Sequence, residues 1–258
     1  MFRLLLETKA TDVVCLTSVF GMGTGVSTLL WPSSKIWVIM GIKSFLLLIW
    51  LLLAMKKRIF LVIAAIALAL LILITAGVEL GLWKIIDLTV NSWITAVQSN
   101  FFILIAKAIS FPFNTVSMIL IVIVLTVVLW VKFSKKWAIF FAGALASQAI
   151  IFEVIKELVH KARPINRLIV GEGLSFPSGH STTAVVFFGL LILFTISYVK
   201  KESTRLYIII ASIAFTILVG FSRIYLNVHW LSDVLGGFTL GLFLLMAYIL
   251  IFKKVEKN

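Results

Sequence analysis

Six long apolar runs, separated by short charged or motif-bearing stretches, organise most of this chain: residues 59–76, 114–131, 137–154, 182–199, 206–220 and 231–252. Each comes near the ~20 residues that a helix needs to cross a bilayer core, once frayed ends are allowed for. The pattern predicts six transmembrane helices. Between the first two runs, Ile86, Val90, Trp93, Val97 and Phe101 recur at helical spacing, with Asp87, Asn91, Thr95 and Gln98 on other faces. That stretch, 85–111, reads as an interfacial amphipathic helix, with a plain solvent-exposed connector as the alternative.

Residues 36–54 are also apolar enough to span, but Lys43 lies inside them. Residues 1–35 lack the basic, apolar and small-residue order of a signal peptide. Met55-Lys56-Lys57-Arg58, followed at once by an apolar run, reads as a natural opening of a membrane protein. The chain is therefore divided into an N-terminal extension, 1–54, and a six-helix membrane domain, 55–258. The extension is either an extra apolar helix or the product of a misassigned start. The expected fold class is all-α: a polytopic membrane protein, a six-transmembrane-helix bundle carrying one interfacial amphipathic helix.

Composition sharpens this picture. Hydrophobic residues make up 62% of the chain, and mean hydropathy is +1.18, well above a soluble domain that is about half apolar. The net charge of +13 could signal nucleic acid. The cations instead cluster at alternate ends of the apolar runs: Lys56, Lys57 and Arg58; Lys132, Lys135 and Lys136; Lys200, Lys201 and Arg205; Lys253, Lys254 and Lys257. The positive-inside rule puts these four clusters in the cytoplasm and the remaining loops at the outer face. Cys15 is the only cysteine, which excludes an intrachain disulfide and a cysteine-rich zinc site.

Three polar clusters stand at the predicted outer ends of the helices. Lys156 and Arg163 are seven positions apart, two turns of a continuous helix, so both would project from one face before Pro164 stops it. Two such cations can clamp phosphate oxygens, Arg as a planar fork and Lys as a point charge. Snorkelling to the headgroups is the plainer reading of that pair. Lys161 and Arg167, in the same loop, read as phosphate-facing. In Phe176-Pro177-Ser178-Gly179-His180, Ser178 is a candidate N-cap, and Gly179 lets a ligand approach the backbone. Free N–H groups and the positive end of the helix dipole would then face an anion, with His180 beside it. An ordinary capped helix with an interfacial histidine is the alternative.

In the third cluster His229 and Asp233 are four apart, and stack on one helical face. A carboxylate on one imidazole nitrogen fixes the tautomer and leaves the other nitrogen available as a nucleophile or a base. Arg223 is placed at the end of the fifth span, His229 at the start of the sixth, and Asn227 as the cap between them. His160, one turn beyond Lys156, could line the same mouth.

The order K-x6-RP, PSGH and SR-x5-H-x3-D resembles the type 2 phosphatidic acid phosphatase family, which is similar to vanadium haloperoxidases and glucose-6-phosphatase. All of the family's motif positions are matched, between Lys156 and Asp233, and the resemblance extends over about residues 59–252. It implies a six-helix membrane core and a two-step hydrolysis with no metal and no cofactor. On this resemblance His229 attacks phosphorus to form a phosphohistidine, Asp233 orients it, and His180 protonates the departing oxygen and then activates water. Lys156, Arg163, Ser178, Gly179 and Arg223 hold the phosphoryl oxygens.

The expected partners are a lipid phosphate and the bilayer, with no nucleic acid; nothing in the pattern bears on oligomeric state. Undecaprenyl diphosphate is the preferred substrate by analogy, with phosphatidylglycerol phosphate and phosphatidate as alternatives. A lipid phosphotransferase, with an acceptor hydroxyl in place of water, shares every motif. A vanadate-dependent oxidase would share the anion pocket, and a transporter would use His229 and Asp233 as a proton relay. The phosphate-binding spacing and the apolar composition argue against both.

Overall fold

The computed structural model describes residues 57–171 and 173–257, and all the regular structure there is helical. The expected division after residue 54 and the apolar run 36–54 lie outside the described residues. In chain order the helices are α1 (Lys57–Glu79), α2 (Lys84–Ala96), α3 (Asn100–Ser110), α4 (Thr115–Lys132), α5 (Lys135–Val159), α6 (Gly179–Tyr198), α7 (Glu202–Tyr225) and α8 (Leu231–Lys257), with a 3₁₀ turn at Phe111–Phe113. Six of them, α1 and α4 to α8, are long and apolar enough to span.

The six expected runs are therefore present, most of them as longer helices. The fifth run, 206–220, extends to Glu202–Tyr225. The added residues include Glu202, Arg205, Ser222 and Arg223, polar groups that continue the helix but fall outside an apolar count.

Helix α8 is central. It packs along α1 and α6, while α6 also packs on α5 and α7, and α4 rests on α5. More than half of the membrane window of α8 is buried (56%), against 6% for α4. The main core joins Phe60, Ala64 and Leu71 of α1, Phe141 and Leu145 of α5, Val186 and Leu190 of α6, and Leu240 and Leu244 of α8. Side chains such as Leu73, Val116, Val131 and Ile150 point outward and are more than 60% exposed, as lipid-facing positions require.

The approach of α8 to α6 needs glycine. A Cβ at Gly237 would lie 2.6 Å from the Ser178 carbonyl oxygen, and one at Gly241 2.9 Å from that of Thr182. Two glycines four residues apart thus let α8 touch the α6 backbone, which fixes the Ser178–His180 segment against Asp233. At the opposite end of the bundle, Phe252 stacks on Phe140 at 4.3 Å and meets Trp137 in a tilted contact at 4.6 Å, and Phe133, Phe194 and Tyr198 join the same aromatic group. Helix direction puts this group, with Lys132, Lys135, Lys136, Lys200 and Lys201, at the end away from all three motifs.

The amphipathic stretch departs from expectation. It is two helices, α2 and α3, broken at residues 97–99. Ser99 caps α3 by accepting from the Phe102 N–H. Its apolar residues Ile86, Trp93, Val97 and Phe101 are exposed, while Asp87 is only 4% exposed. The polar face turns inward: Gln98 Nε2 donates to the Tyr225 carbonyl at 2.7 Å, and Thr95 Oγ1 accepts from Asn166 and Asn227. Periodicity finds such a helix but cannot tell which face meets the protein when the surroundings are lipid.

Candidate active site

Four helix ends and two loops meet at the motif end of the bundle. Lys156 stands on the last turn of α5, Gly179 and His180 open α6, and Arg223 stands on the last turn of α7. Arg163 comes from the α5–α6 loop and His229 from the α7–α8 loop. All six line one cavity of about 760 Å³. Its inner wall is apolar, built by Met118, Val122, Leu145, Ala146 and Ala149 of α4 and α5, with Gln148 and Thr183 as polar interruptions.

The sequence order brought these residues together, but not by the local geometry expected. Helix α5 ends at Val159, and His160 takes a left-handed conformation (φ 51°) as its C-cap. The helix thus stops before Pro164, and Lys156 and Arg163 converge from a helix and a loop, not from two turns of one face. His160 is not at the mouth: it is exposed and stands 4.0 Å from Glu157. Similarly His229 precedes α8, which begins at Leu231. Asn227 does not cap that helix. It sits at φ 52° and donates to Thr95 Oγ1, while the Trp230 N–H is satisfied by Asp233 Oδ2 at 2.8 Å.

The two nitrogens of His229 face different partners. Nδ1 is 3.4 Å from Asp233 Oδ2. Nε2 is 3.1 Å from Arg163 Nη1. A guanidinium can only donate, so Nε2 is the acceptor and Nδ1 carries the proton toward Asp233. Burial lowers the His229 pKa to about 4, against the opposing hydrogen bond and charge of Asp233. The imidazole is therefore neutral at physiological pH, with its lone pair at the cavity.

Arg163 also donates to the carbonyls of Gly173 (3.1 Å) and Val228 (2.9 Å). Burial lowers its pKa from the ordinary arginine value, with Asp233 acting in the other direction; it remains a cation. Lys156 is paired with Glu153 at 3.0 Å and lies over the Phe152 ring. That ring would be 2.9 Å from a Cβ at position 179, so glycine is needed there for packing as well as for access. Arg223 is 5% exposed. It donates through Nη1 to the Ser110 hydroxyl, and its Nε has no partner among the described residues.

Ser178 stands back from the cavity. It caps α6 by accepting from the Ser181 N–H, its Oγ also accepts from the Ser181 hydroxyl at 2.9 Å, and its own N–H donates to the Asp233 carbonyl at 2.9 Å. The capping expected of it is present. Its side chain is committed to the helix start, so an anion there meets the first free N–H groups of α6.

Lys161 corrects the reading of the basic loop. It does not face the cavity but pairs with two carboxylates, Asp87 Oδ2 at 2.7 Å and Asp233 Oδ1 at 3.0 Å. Ser232 joins them through Asp87 at 2.7 Å and Lys161 at 2.5 Å. Ser175 donates to Asp233 Oδ2. Arg167 bonds the Gly171 carbonyl at 3.1 Å within its own loop. Asp233 is thus held by Ser175, Lys161 and the Trp230 N–H behind His229, and α2 contributes Asp87 to that support. Asp87, Ser175 and Ser232 were not singled out from sequence. The one available signal was an acidic residue in the first turn of an otherwise apolar-rich helix.

Residues 137–257 match the PAP2 superfamily. Over 99 residues the chain is 41% identical to phosphatidylglycerophosphatase B of Bacillus subtilis (strain 168), covering 37% of this chain and 48% of that relative, so the match spans about half the relative's length. Among solved structures, a transmembrane PAP2 type phosphatidylglycerolphosphate phosphatase from Bacillus subtilis superposes with a TM-score of 0.69 at 20% identity, over 74% of this chain and 96% of that one. LpxE of Aquifex aeolicus superposes with a TM-score of 0.52 at 19% identity, over 64% and 94%. These two show a shared fold. Residues 137–257, the stretch similar to the PAP2 superfamily, contain every motif residue that lines the cavity.

Proposed function

We propose that the protein hydrolyses the terminal phosphate of a membrane lipid phosphate through a phosphohistidine on His229. The observation that carries this is the orientation of His229: Nδ1 toward Asp233, and Nε2 at the cavity among cations. A phosphate entering the cavity displaces the Arg163–Nε2 contact and meets Arg163, Arg223, Lys156 and the start of α6. Nε2 then attacks phosphorus in line as the bond to the lipid oxygen breaks. His180 gives that oxygen its proton. Water next attacks the phosphohistidine, the N–P bond breaks, and the proton of the water passes to His180. Catalysis by position and fixed charge suits phosphoryl transfer.

The lipid is proposed from two sides. Sequence analogy favours undecaprenyl diphosphate, while the partial relative named phosphatidylglycerophosphatase B favours a glycerophospholipid phosphate. Assay of the purified protein on both, with phosphatidate as a third substrate, separates them. Release of free phosphate supports hydrolysis; transfer to an added alcohol with no free phosphate would make the protein a phosphotransferase.

Three cations around the cavity supply the charge that a divalent ion would bring. Excess chelator is therefore expected to leave the rate nearly unchanged, and vanadate, a mimic of five-coordinate phosphorus, to inhibit. Activity lost to chelator and restored by magnesium would overturn metal independence.

The support behind Asp233 gives a further expectation. Lys161→Met should lower kcat by about 10²-fold through misplacement of the nucleophile, with KM little changed. It should also cost about 3 kcal/mol of stability by leaving Asp87 and Asp233 without their cation. A normal kcat per folded molecule would remove Lys161 from the positioning role.

We place the site at the outer face of the cell membrane, because the basic clusters lie at the opposite end of the bundle. With Cys15 replaced by serine, a cysteine at the fully exposed Ile165 should react with an impermeant reagent in intact cells (spheroplasts where an outer membrane intervenes). One at Lys201 should not; the reverse pattern would put the site in the cytoplasm.

A further inference from the structure

One polar side chain in the cavity has no part in the chemistry above. Gln148 lies on α5 two turns inward of Lys156, about 12 Å along the helix axis. It lines the cavity yet is only 1% exposed. Its Oε1 accepts from the Thr183 hydroxyl at 3.2 Å, while its Nε2 has no hydrogen-bond partner among the described residues. Its neighbours on the cavity wall are Ala142, Leu145, Ala146 and Ala149. A primary amide with an idle donor is costly in an apolar, membrane-embedded wall. An alanine or leucine would suit an all-hydrocarbon ligand better.

Depth identifies what the donor meets. Thr183, its partner, is one turn below Gly179, about 6 Å along α6 from the helix start that faces the phosphate. Moving inward from its phosphate, a diacylglycerol phosphate presents one glycerol unit and then two ester carbonyls. A polyprenyl diphosphate presents its second phosphate directly against the first, among the cations, and beyond that only hydrocarbon. Among the described residues, no Lys, Arg or His lines the cavity inward of Lys156, Arg223 and His180. The acceptor at this depth is therefore neutral, as an ester carbonyl is.

Resting on the lipid phosphatase reading, we propose that Gln148 is a substrate-recognition residue that donates to an acyl ester carbonyl, selecting diacylglycerol phosphates over polyprenyl phosphates. Thr183 holds the amide so that its N–H is presented to the lipid.

The test compares kcat/KM of the purified protein in mixed micelles on three substrates: diester phosphatidate, its diether analogue (which lacks only the carbonyls) and a polyprenyl diphosphate. Wild type should prefer the diester to the diether by about tenfold, the scale of one buried hydrogen bond. Gln148→Leu should lose about tenfold on the diester alone, becoming blind to the ester–ether difference, with the diether and polyprenyl rates unchanged. The wild-type comparison needs no variant, so a folding defect cannot hide the answer. Equal rates of wild type on diester and diether, or an equal loss by Gln148→Leu on all three substrates, would overturn the assignment while leaving the phosphatase intact. A wild type inactive on these three and on phosphatidylglycerol phosphate would overturn the phosphatase reading and, with it, this one; activity on the last alone moves the same ester–ether comparison to that lipid.

Discussion

Replacing His229 with alanine is expected to abolish turnover, a loss on the order of 10⁴-fold or more, as removal of a covalent nucleophile does. His229 is buried and its neighbours are loop residues and the start of α8, so the variant should still fold in detergent. Stability gives a second, independent readout. The folded-state pKa of His229 is depressed to about 4, below the ordinary value of about 6.5 expected in the unfolded chain. The folded state therefore binds fewer protons between these values, and stability rises with pH there. The contribution of the neutral ring is complete above about pH 6.5 and declines as pH falls toward 4. Melting curves at pH 7 and pH 5 should show wild type losing more stability on acidification than His229→Ala. Appreciable turnover in a clean variant preparation would remove His229 from the mechanism.

The second large effect belongs to Arg223. This guanidinium is nearly buried and, among the described residues, its one side-chain hydrogen bond is to the Ser110 hydroxyl and it forms no ion pair with a carboxylate. Lys156 has Glu153 and Lys161 has two carboxylates. A buried cation left without a counter-charge destabilises the empty protein and favours a bound dianion. Arg223→Met should therefore lower kcat/KM by about 10²–10³-fold without lowering the melting temperature. Vanadate should raise the melting temperature of wild type and do so much less in the variant. A variant that keeps its rate, or that melts well below wild type, would show that Arg223 serves packing and not the phosphate.

The parts legible in the sequence were those governed by hydrophobic length and by motif order. The six spans follow from bilayer thickness, so an apolar count locates them. Lys156, Arg163, Gly179, His180, Arg223 and His229 were named from spacing, and all six line the same cavity. Spacing did not reveal the local paths. Asn and His are the kinds of residue that tolerate a positive φ, but residue type alone does not say that His160 and Asn227 are the two that adopt it among the described residues. Lys161 was misread for a related reason: a cation beside a phosphate motif looks like a ligand until a carboxylate from α2, 74 positions earlier, is placed against it. The inward turn of the polar face of α2 was invisible for the same cause. Gln148 lay hidden inside an apolar run, where one amide hardly alters the hydropathy that defines the span.

The covalent step is the centre of the proposed chemistry, and one measurement reaches it directly. Lipid phosphate labelled with ³²P at the terminal position is mixed with enzyme and quenched within the first turnover. The protein should carry label that is stable to alkali and lost in acid, as a phosphoramidate is. Peptide mapping should place it on His229, and the label should be absent from His229→Ala. Free labelled phosphate released in the first turnover with no labelled protein, or label mapped to any other residue, would contradict a phosphohistidine at His229.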